Sequence, residues 1–364
     1  MIWAAVFLWL ATLVVAVGTL LPGLKIAHWL VRGFDFPRLQ LACFAALMLI
    51  VEFALGPFSD PFALVRCALL AASFAVQLWW ILPYTPLFSV QVPQSTAHKD
   101  DQKISLITAN VLMTNRNYGA LLSILKHEQA DLIVTLETDI HWERALSELE
   151  SEAWGYKHTV KVPKDNLYGM HVYSRLPLDD VHIEYLVEDD VPSVHSCIEI
   201  EGRCRIRAHF LHPAPPSPTE NTLSAERDAE LVAVAKTLAG SCDPIIVTGD
   251  LNDVAWSRTT RLFRKISKLL DPRLGRGMFN TFHAKWPFIR WPLDHLFHSE
   301  HFSLVEMRRL PAFGSDHFAL FTCLALRPEQ SEQHSAPELD EEDREFAKET
   351  LKSQPVSPSD VPTL

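Results

Sequence analysis

Charge is nearly absent from the first 84 residues of this 364-residue chain, whereas beyond Lys99 the composition is that of a soluble protein. So apolar a segment is not a solvated domain. Its stretches 2–24, 39–55 and 62–81 each approach the ~20 residues that cross a hydrocarbon core, and they predict three transmembrane helices. No basic region precedes the first stretch and two more follow it, which argues against a cleaved signal peptide. Cysteine is scarce too. Cys43 and Cys67 fall within predicted spans, and Cys197, Cys204, Cys242 and Cys323 lack the spacing of a zinc module, so the sequence specifies no metal knuckle and no disulfide framework. Positive charge is in deficit, with 33 Lys and Arg against 44 Asp and Glu and a net charge of −11. That balance disfavours indiscriminate nucleic-acid binding, which needs clustered cations, and no stable nucleic-acid partner is expected.

What is present divides the chain into four parts: a membrane anchor at 1–84, a Pro- and polar-rich linker at 85–103, a soluble domain at 104–326, and an acidic tail at 327–364. The tail is rich in Pro and Ser and poor in aromatics; it is expected to be disordered or at most a frayed helix, and to carry no chemistry. Lys25, Arg32 and Arg38 lie between the first two spans, against Asp60 and Arg66 near the second turn. The positive-inside rule then places the first loop, and with it the soluble domain, in the cytoplasm. Trp29, Trp79, Trp80 and Tyr84 suit interfacial belts in either orientation.

Within 104–326, apolar strand-like runs alternate with helices. "ISLITANV" is followed by a helix over 118–129, "ADLIVTLET", "GMHVYSRL", the pair "SCIEIE" and "RIRAHFLH", a helix over 222–238, "PIIVTGDLN", "PLDHLFHS", "FSLVEMRRL" and "FALFTCLAL". Strands with intervening long helices predict a layered α/β architecture with two facing sheets. Polar residues recur where these runs end: Asn110, Glu137, His212, Asp250, Asn252, Asp294, His295, Asp316 and His317. Singly, each reads as a turn former, a cap or loop polarity; together they suggest a site. The helix "SRTTRLFRKISKLL" carries a basic face that reads as solvated or as meeting anionic headgroups. Trp256, directly after the "GDLND" turn, either shapes a pocket or packs on that helix.

The ordered set "TANV", "LIVTLET", "YGMHVYSRLPL", "HFLHPAPP", "GDLND", "LDHLF" and "GSDH", spread over about 104–325, resembles the endonuclease/exonuclease/phosphatase superfamily of metal-dependent phosphoesterases. The resemblance implies a four-layer α/β sandwich, two facing mixed sheets flanked by helices, here preceded by three transmembrane helices. It also implies roles. Glu137 with Asn110 would hold a divalent metal, Mg²⁺ or Mn²⁺, and Asp316 would be a further metal or site carboxylate. Asp250 would orient or deprotonate the attacking water, Asn252 would hold a phosphoryl oxygen, and His317, oriented by Asp294, would contact the phosphate. His212 matches the second histidine of the deoxyribonuclease and sphingomyelinase branches. The chemistry is coherent on its own terms, because phosphoryl transfer spreads negative charge over oxygens that a hard cation and fixed donors stabilise.

Three spans followed by this domain look like the bacterial membrane proteins of the teicoplanin-resistance type, whose substrate class is polyprenyl pyrophosphate. That resemblance implies a multi-pass protein of the bacterial cytoplasmic membrane working at its outer, periplasmic face, against the loop charges. The reading leans toward the outer face and leaves orientation open. The expected activity is metal-dependent hydrolysis of a lipid-linked phosphate or pyrophosphate by in-line attack of an Asp-activated water. A membrane-tethered nuclease is the alternative, and a non-catalytic binding module the minor one.

Overall fold

Strand alternation sorts the apolar side chains of the soluble domain into three layers. In the computed structural model, which describes residues 2–55, 61–95, 102–200, 204–326 and 337–364, one sheet contains β1 (Lys103–Asn110), β2 (Leu132–Leu136), β3 (His158–Val162), β4 (Met170–Ser174), β10 (Phe302–Arg309) and β11 (Leu320–Leu326). Its order is β10-β11-β1-β2-β4-β3, with β1 and β2 parallel and the other neighbours antiparallel. The second sheet runs β5 (Leu178–Glu184), β6 (Ser193–Ile200), β7 (Cys204–Leu211), β8 (Ile245–Asp250), β9 (Asp294–His298), and its one parallel pair is β7 with β8. Alternate residues of each strand face alternate layers. Leu106, Leu132 and Val134 therefore meet Ile206, Phe210, Ile246 and Leu296 between the sheets. Ile107, Ala109 and Ile133 face outward and pack beneath α5 (Tyr118–Glu128) and α6 (Ile140–Leu146). Val247 and Phe297 do the same beneath α7 (Ala225–Leu238) and α8 (Arg258–Ser267). Each such Leu, Ile or Phe contributes about 1.5–3 kcal/mol by leaving water. The expected α/β sandwich of two mixed sheets flanked by helices is the observed architecture.

The same alternation positions the site. Thr108 on β1 and Thr248 on β8 hydrogen-bond across the gap between the sheets at 2.7 Å. Two residues further along each strand, on the same inward faces, stand Asn110 and Asp250. β8 can run that close to β7 only because its penultimate residue is glycine: Gly249 has φ +154°, and a Cβ there would lie 1.8 Å from the carbonyl oxygen of Leu211.

Three helices, α1 (Ile2–Leu20), α3 (Arg38–Leu55) and α4 (Pro61–Ile81), are long and apolar enough to cross a membrane. Between the first two, α2 (Trp29–Arg32) and its flanks fold back onto the soluble domain. Trp29 donates its backbone N–H to Thr222 O at 3.0 Å, Arg32 pairs with Asp228 at 3.2 Å, and Trp256 Nε1 donates to Asp35 O at 2.7 Å. Trp256 is thus a packing residue, seated with Ala42, Ile81 and Tyr84 of the N-terminal segment and Val254 and Leu274 of the domain. The three apolar helices and the domain share this apolar cluster.

The linker packs on the domain: Val92 is fully buried in the layer between the sheets, and Ser95 N–H donates to Leu304 O at 2.7 Å, while residues 96–101 lie outside the described residues. One expectation is corrected. The tail is not disordered over its described part, 337–364; residues 327–336 lie outside the description. It forms α9 (Glu341–Lys352), opened by an Asp340–Asp343 capping box, and buries Ala347, Val356 and Val361 against the domain. The reason is charge complementarity. Acidic residues favour a helix N-terminus, and here they meet the basic face of α8: Lys265 pairs with Asp340 and Asp343, Arg258 with Glu342, and Lys268 Nζ donates to Pro337 O. The basic face is covered by the tail, so it is neither simply solvated nor open to headgroups.

Candidate active site

Four strand ends converge at one edge of the sandwich. Asn110 ends β1, and Glu137 follows β2 in a left-handed conformation with φ +59°. Asp250 ends β8, opposite Asp294 at the start of β9 in antiparallel register. His317 comes from the turn before β11. Asn110 donates through Nδ2 to Glu137 Oε1 at 2.7 Å and to Asp250 Oδ2 at 3.1 Å, while its Oδ1 accepts from Leu112 N–H at 3.0 Å. In this arrangement the amide holds two carboxylates rather than offering its oxygen beside Glu137. His317 lies between two acids, with Nδ1 2.8 Å from Asp294 Oδ2 and Nε2 3.5 Å from Asp250 Oδ2. Asn252, also left-handed at φ +51°, directs its backbone N–H to Asp250 Oδ1 at 2.9 Å and its side-chain amide to Pro213 O at 3.0 Å. Strained backbone at two adjoining site residues is typical of positions held by function and by their surroundings.

Burial and charge set the protonation pattern. Burial works against a charge on His317, but Asp294 and Asp250 outweigh it and raise the imidazole to about 10, so it is a cation at neutral pH. Burial also works against ionised Asp250, yet the charge of His317 and the bonds from Asn252 and Asn110 hold it below the usual carboxylate value. Glu137 is pushed up to about 7, first by burial and further by the nearby charges of Asp250 and Asp316, against its bond from Asn110. His212 is fully enclosed and pushed down to about 4 by burial, hence neutral; its Nδ1 has no hydrogen-bond partner among the described residues.

A cavity of about 660 Å³ opens over this cluster, lined by Glu137, Asp250, Asn252, Asp316 and His317 on one side. Its other walls are mainly apolar: Phe282, Phe288, Ile289, Trp291 and Leu293 from the domain, with Trp29, Phe36 and Pro37 from the loop between α1 and α3, beside the polar side chains of Arg32 and Gln40. Of the residues singled out from sequence, Asn110, Glu137, Asp250, Asn252, Asp294, Asp316 and His317 come together here, and His212 lies behind them. His295 does not join them. It points back to Arg273 (2.7 Å) and Asp253 O (2.9 Å).

Sequence reasoning missed the residues that support the turn. Arg227 on α7 donates to Asn252 O at 2.7 Å and pairs with Asp253 at 3.1 Å and Asp228 at 3.0 Å. In "SAERDAE" these charges look like a solvated helix face; only their fully buried placement shows otherwise. The aromatic wall was missed as well, since nothing local in the sequence joins Phe36 to Trp291, whose rings meet edge to face at 5.5 Å.

The Endonuclease/Exonuclease/phosphatase family model matches residues 107–317, a span that holds every one of these site residues. The chain belongs to that family. Among solved structures, a family member from Bacteroides thetaiotaomicron superposes with a TM-score of 0.51 at 20% identity, covering 65% of this chain and 99% of the other. The human Nocturnin catalytic domain with bound sulfate anion gives 0.51 at 16% identity, covering 62% and 96%. At these identities the likeness is one of fold. No curated protein matches the chain. In this chain the loop between α1 and α3 lines one side of the cavity.

Proposed function

We propose that the protein is a membrane-anchored, divalent-metal-dependent phosphoester hydrolase acting on a lipid-linked phosphate or pyrophosphate. The observation that carries this reading is the two-sided cavity: acids, amides and an imidazolium at one end, and an aromatic and aliphatic wall continuous with the first inter-span loop at the other. A phosphate headgroup suits the first and a hydrocarbon chain the second.

A hard divalent cation fits the site. Glu137 is a buried carboxylate facing the cavity with Asp250 and Asp316 adding to the local negative charge, an electrostatic excess that a cation relieves. Glu137 and Asp316 would hold it, and when bound it would supply charge stabilisation to the phosphoryl oxygens. The buried group Asp250, Asp294 and His317 also has ligand atoms within 4.8 Å of one another, but His317 is already engaged by both acids, which suits proton and charge handling better. Asp250, held ionised, orients water and takes its proton. His317, held as a cation by Asp294, donates to a phosphoryl oxygen and stabilises the charge that develops there. Asn252, with one amide hydrogen given to Pro213, turns the other toward the cavity.

Metal binding is expected to release protons. Glu137 titrates near 7 in the folded chain, so at mildly acid pH it must lose a proton to become a ligand. Mg²⁺ or Mn²⁺ titrated calorimetrically in two buffers of different ionisation enthalpy should show proton release below neutrality that disappears above it, with affinity rising through the same range. Glu137→Gln should abolish the buffer dependence.

The function itself is tested with the full chain in detergent, offered polyprenyl pyrophosphate and plasmid DNA in parallel, with Mg²⁺ or with EDTA. Metal-dependent phosphate release from the lipid, with intact plasmid, is the expected result. Nicked plasmid beside untouched lipid would instead establish the tethered nuclease.

A further inference from the structure

One exposed apolar feature of the soluble domain has no role in the sandwich. Residues 282–291 form a short hairpin: Phe282 and Trp291 bridge, His283 N–H donates to Ile289 O at 3.0 Å, and Ile289 N–H closes the turn on Trp286 O at 3.1 Å. At its tip Trp286, Phe288 and Ile289 are 62%, 84% and 47% exposed, side by side. Such a cluster on a solvated loop costs solubility unless something covers it.

The hairpin is tied to the anchor. Gln40, in the first turn of α3, donates its side-chain amide to Phe288 O at 2.9 Å. The tip is therefore held level with the beginning of a helix long and apolar enough to cross a membrane. Lys285 is exposed beside the tip, where a cation next to an inserted apolar turn meets headgroups, and Arg290 braces the hairpin by donating to His283 O at 3.2 Å and Ala284 O at 2.9 Å. At its base the hairpin reaches the chemistry: the Phe282 ring lies 5.0 Å from that of His317 and 6.0 Å from Trp291, which in turn meets Phe36 of the anchor loop.

We infer that the 285–290 turn is inserted into the bilayer and that, with the Trp29–Phe36 side of the anchor loop, it frames a lateral opening through which a lipid substrate brings its phosphate to the site without leaving the membrane. The inference rests on the proposed membrane anchoring. The occupant is the lipid surface itself, because the turn is fixed to a span rather than presented to solution. Apolar burial there adds binding area next to the spans, while Lys285 favours an anionic leaflet.

The test uses the unmodified full chain reconstituted in vesicles of phosphatidylethanolamine and phosphatidylglycerol, doped with a phospholipid bearing a diazirine in its acyl chain. After illumination, adducts are mapped by mass spectrometry. The expected result is adducts on Trp286–Ile289 at a yield within roughly twofold of that on the exposed apolar residues of α3, as for side chains at one depth, and none on Val181 and Ile183 of the distal strand β5. Adducts confined to the three helices would overturn the insertion while leaving the anchor reading intact. Absence of adducts from the helices as well would overturn both. Adducts joining 286–289 to a second copy of the chain would replace the lipid with a dimer. The readout is independent of hydrolysis, so a protein that inserts its turn but cleaves only DNA would sink the lipid-phosphate function and the lateral opening with it, and leave the insertion of the turn standing. A Trp286→Ser, Phe288→Ser variant should lose the turn's adducts and keep those on the helices.

Discussion

His317→Ala is expected to lower metal-dependent hydrolysis by about 10³-fold or more, the usual range when a positioned proton or charge donor is removed from phosphoryl or acyl transfer. His317 lies between Asp250 and Asp294, at 3.5 Å and 2.8 Å. Its removal takes away the charge offered to the phosphoryl group and the partner that keeps Asp250 ionised. His317→Asn preserves a hydrogen bond toward Asp294 without the charge and should fall nearly as far; full activity in the Asn variant would mean that charge is not what His317 supplies. The same ion pairs predict a pH dependence of stability in EDTA. The imidazole rises from 6.5 unfolded to about 10 folded, so its contribution is complete below the first value and is lost as pH climbs toward the second. Thermal melts across that interval should decline for the native chain and be flatter for His317→Ala.

Asp228→Ala should be the most destabilising single substitution outside the catalytic cluster, by about 3–5 kcal/mol, the cost of leaving buried charges without their counter-ion. Asp228 holds two arginines at once: Arg32 of the anchor loop at 3.2 Å and Arg227 at 3.0 Å, and Arg227 carries the carbonyl of Asn252. The effect should therefore reach the site, lowering turnover in protein that remains folded. Burial opposes its charge, but Arg227 and Arg32 prevail and hold Asp228 below its ordinary value. Its contribution is thus present above the unfolded value of 3.8 and lost as pH falls further. The same contacts predict that residues 85–364 expressed without the anchor will be poorly folded, because Val254, Ala255, Trp256 and Leu274 lose the Ala42, Ile81 and Tyr84 they pack against. Urea denaturation of the full chain, the Asp228 variant and the truncated chain measures both effects.

The site was readable in sequence where strands end. An apolar run closed by Asn110, Glu137 or Asp250, or opened by Asp294, announces both the strand and the polar group at its tip, and the sandwich brings such tips to one edge. The helices at 118–129 and 222–238 were readable as well; the second begins at Ala225, three residues late, because Thr222 and Leu223 are bridged to the loop between α1 and α3, Thr222 O accepting from Trp29 N–H at 3.0 Å. What could not be read was anything whose meaning lay in a distant partner. The acidic tail has a disordered composition by itself and folds because Lys265 and Arg258 await it. Arg32 and Asp228 each look solvated in isolation and become a buried pair only when brought together. His295, in the same "LDHLF" stretch as Asp294, faces the opposite side of its strand by simple alternation, a distinction that needed the register rather than the motif.

The loop between the first two helices also has a history written into its charges. In the folded protein Lys25 is matched by Glu342 at 2.7 Å, Arg32 by Asp228 at 3.2 Å and Arg38 by Asp35 at 2.5 Å. Asp228 is made 196 residues after Arg32, and Glu342 later still. During synthesis, then, Lys25 and Arg32 are made long before their counter-ions, whereas in the finished fold Arg32, at the wall of the cavity, is already paired.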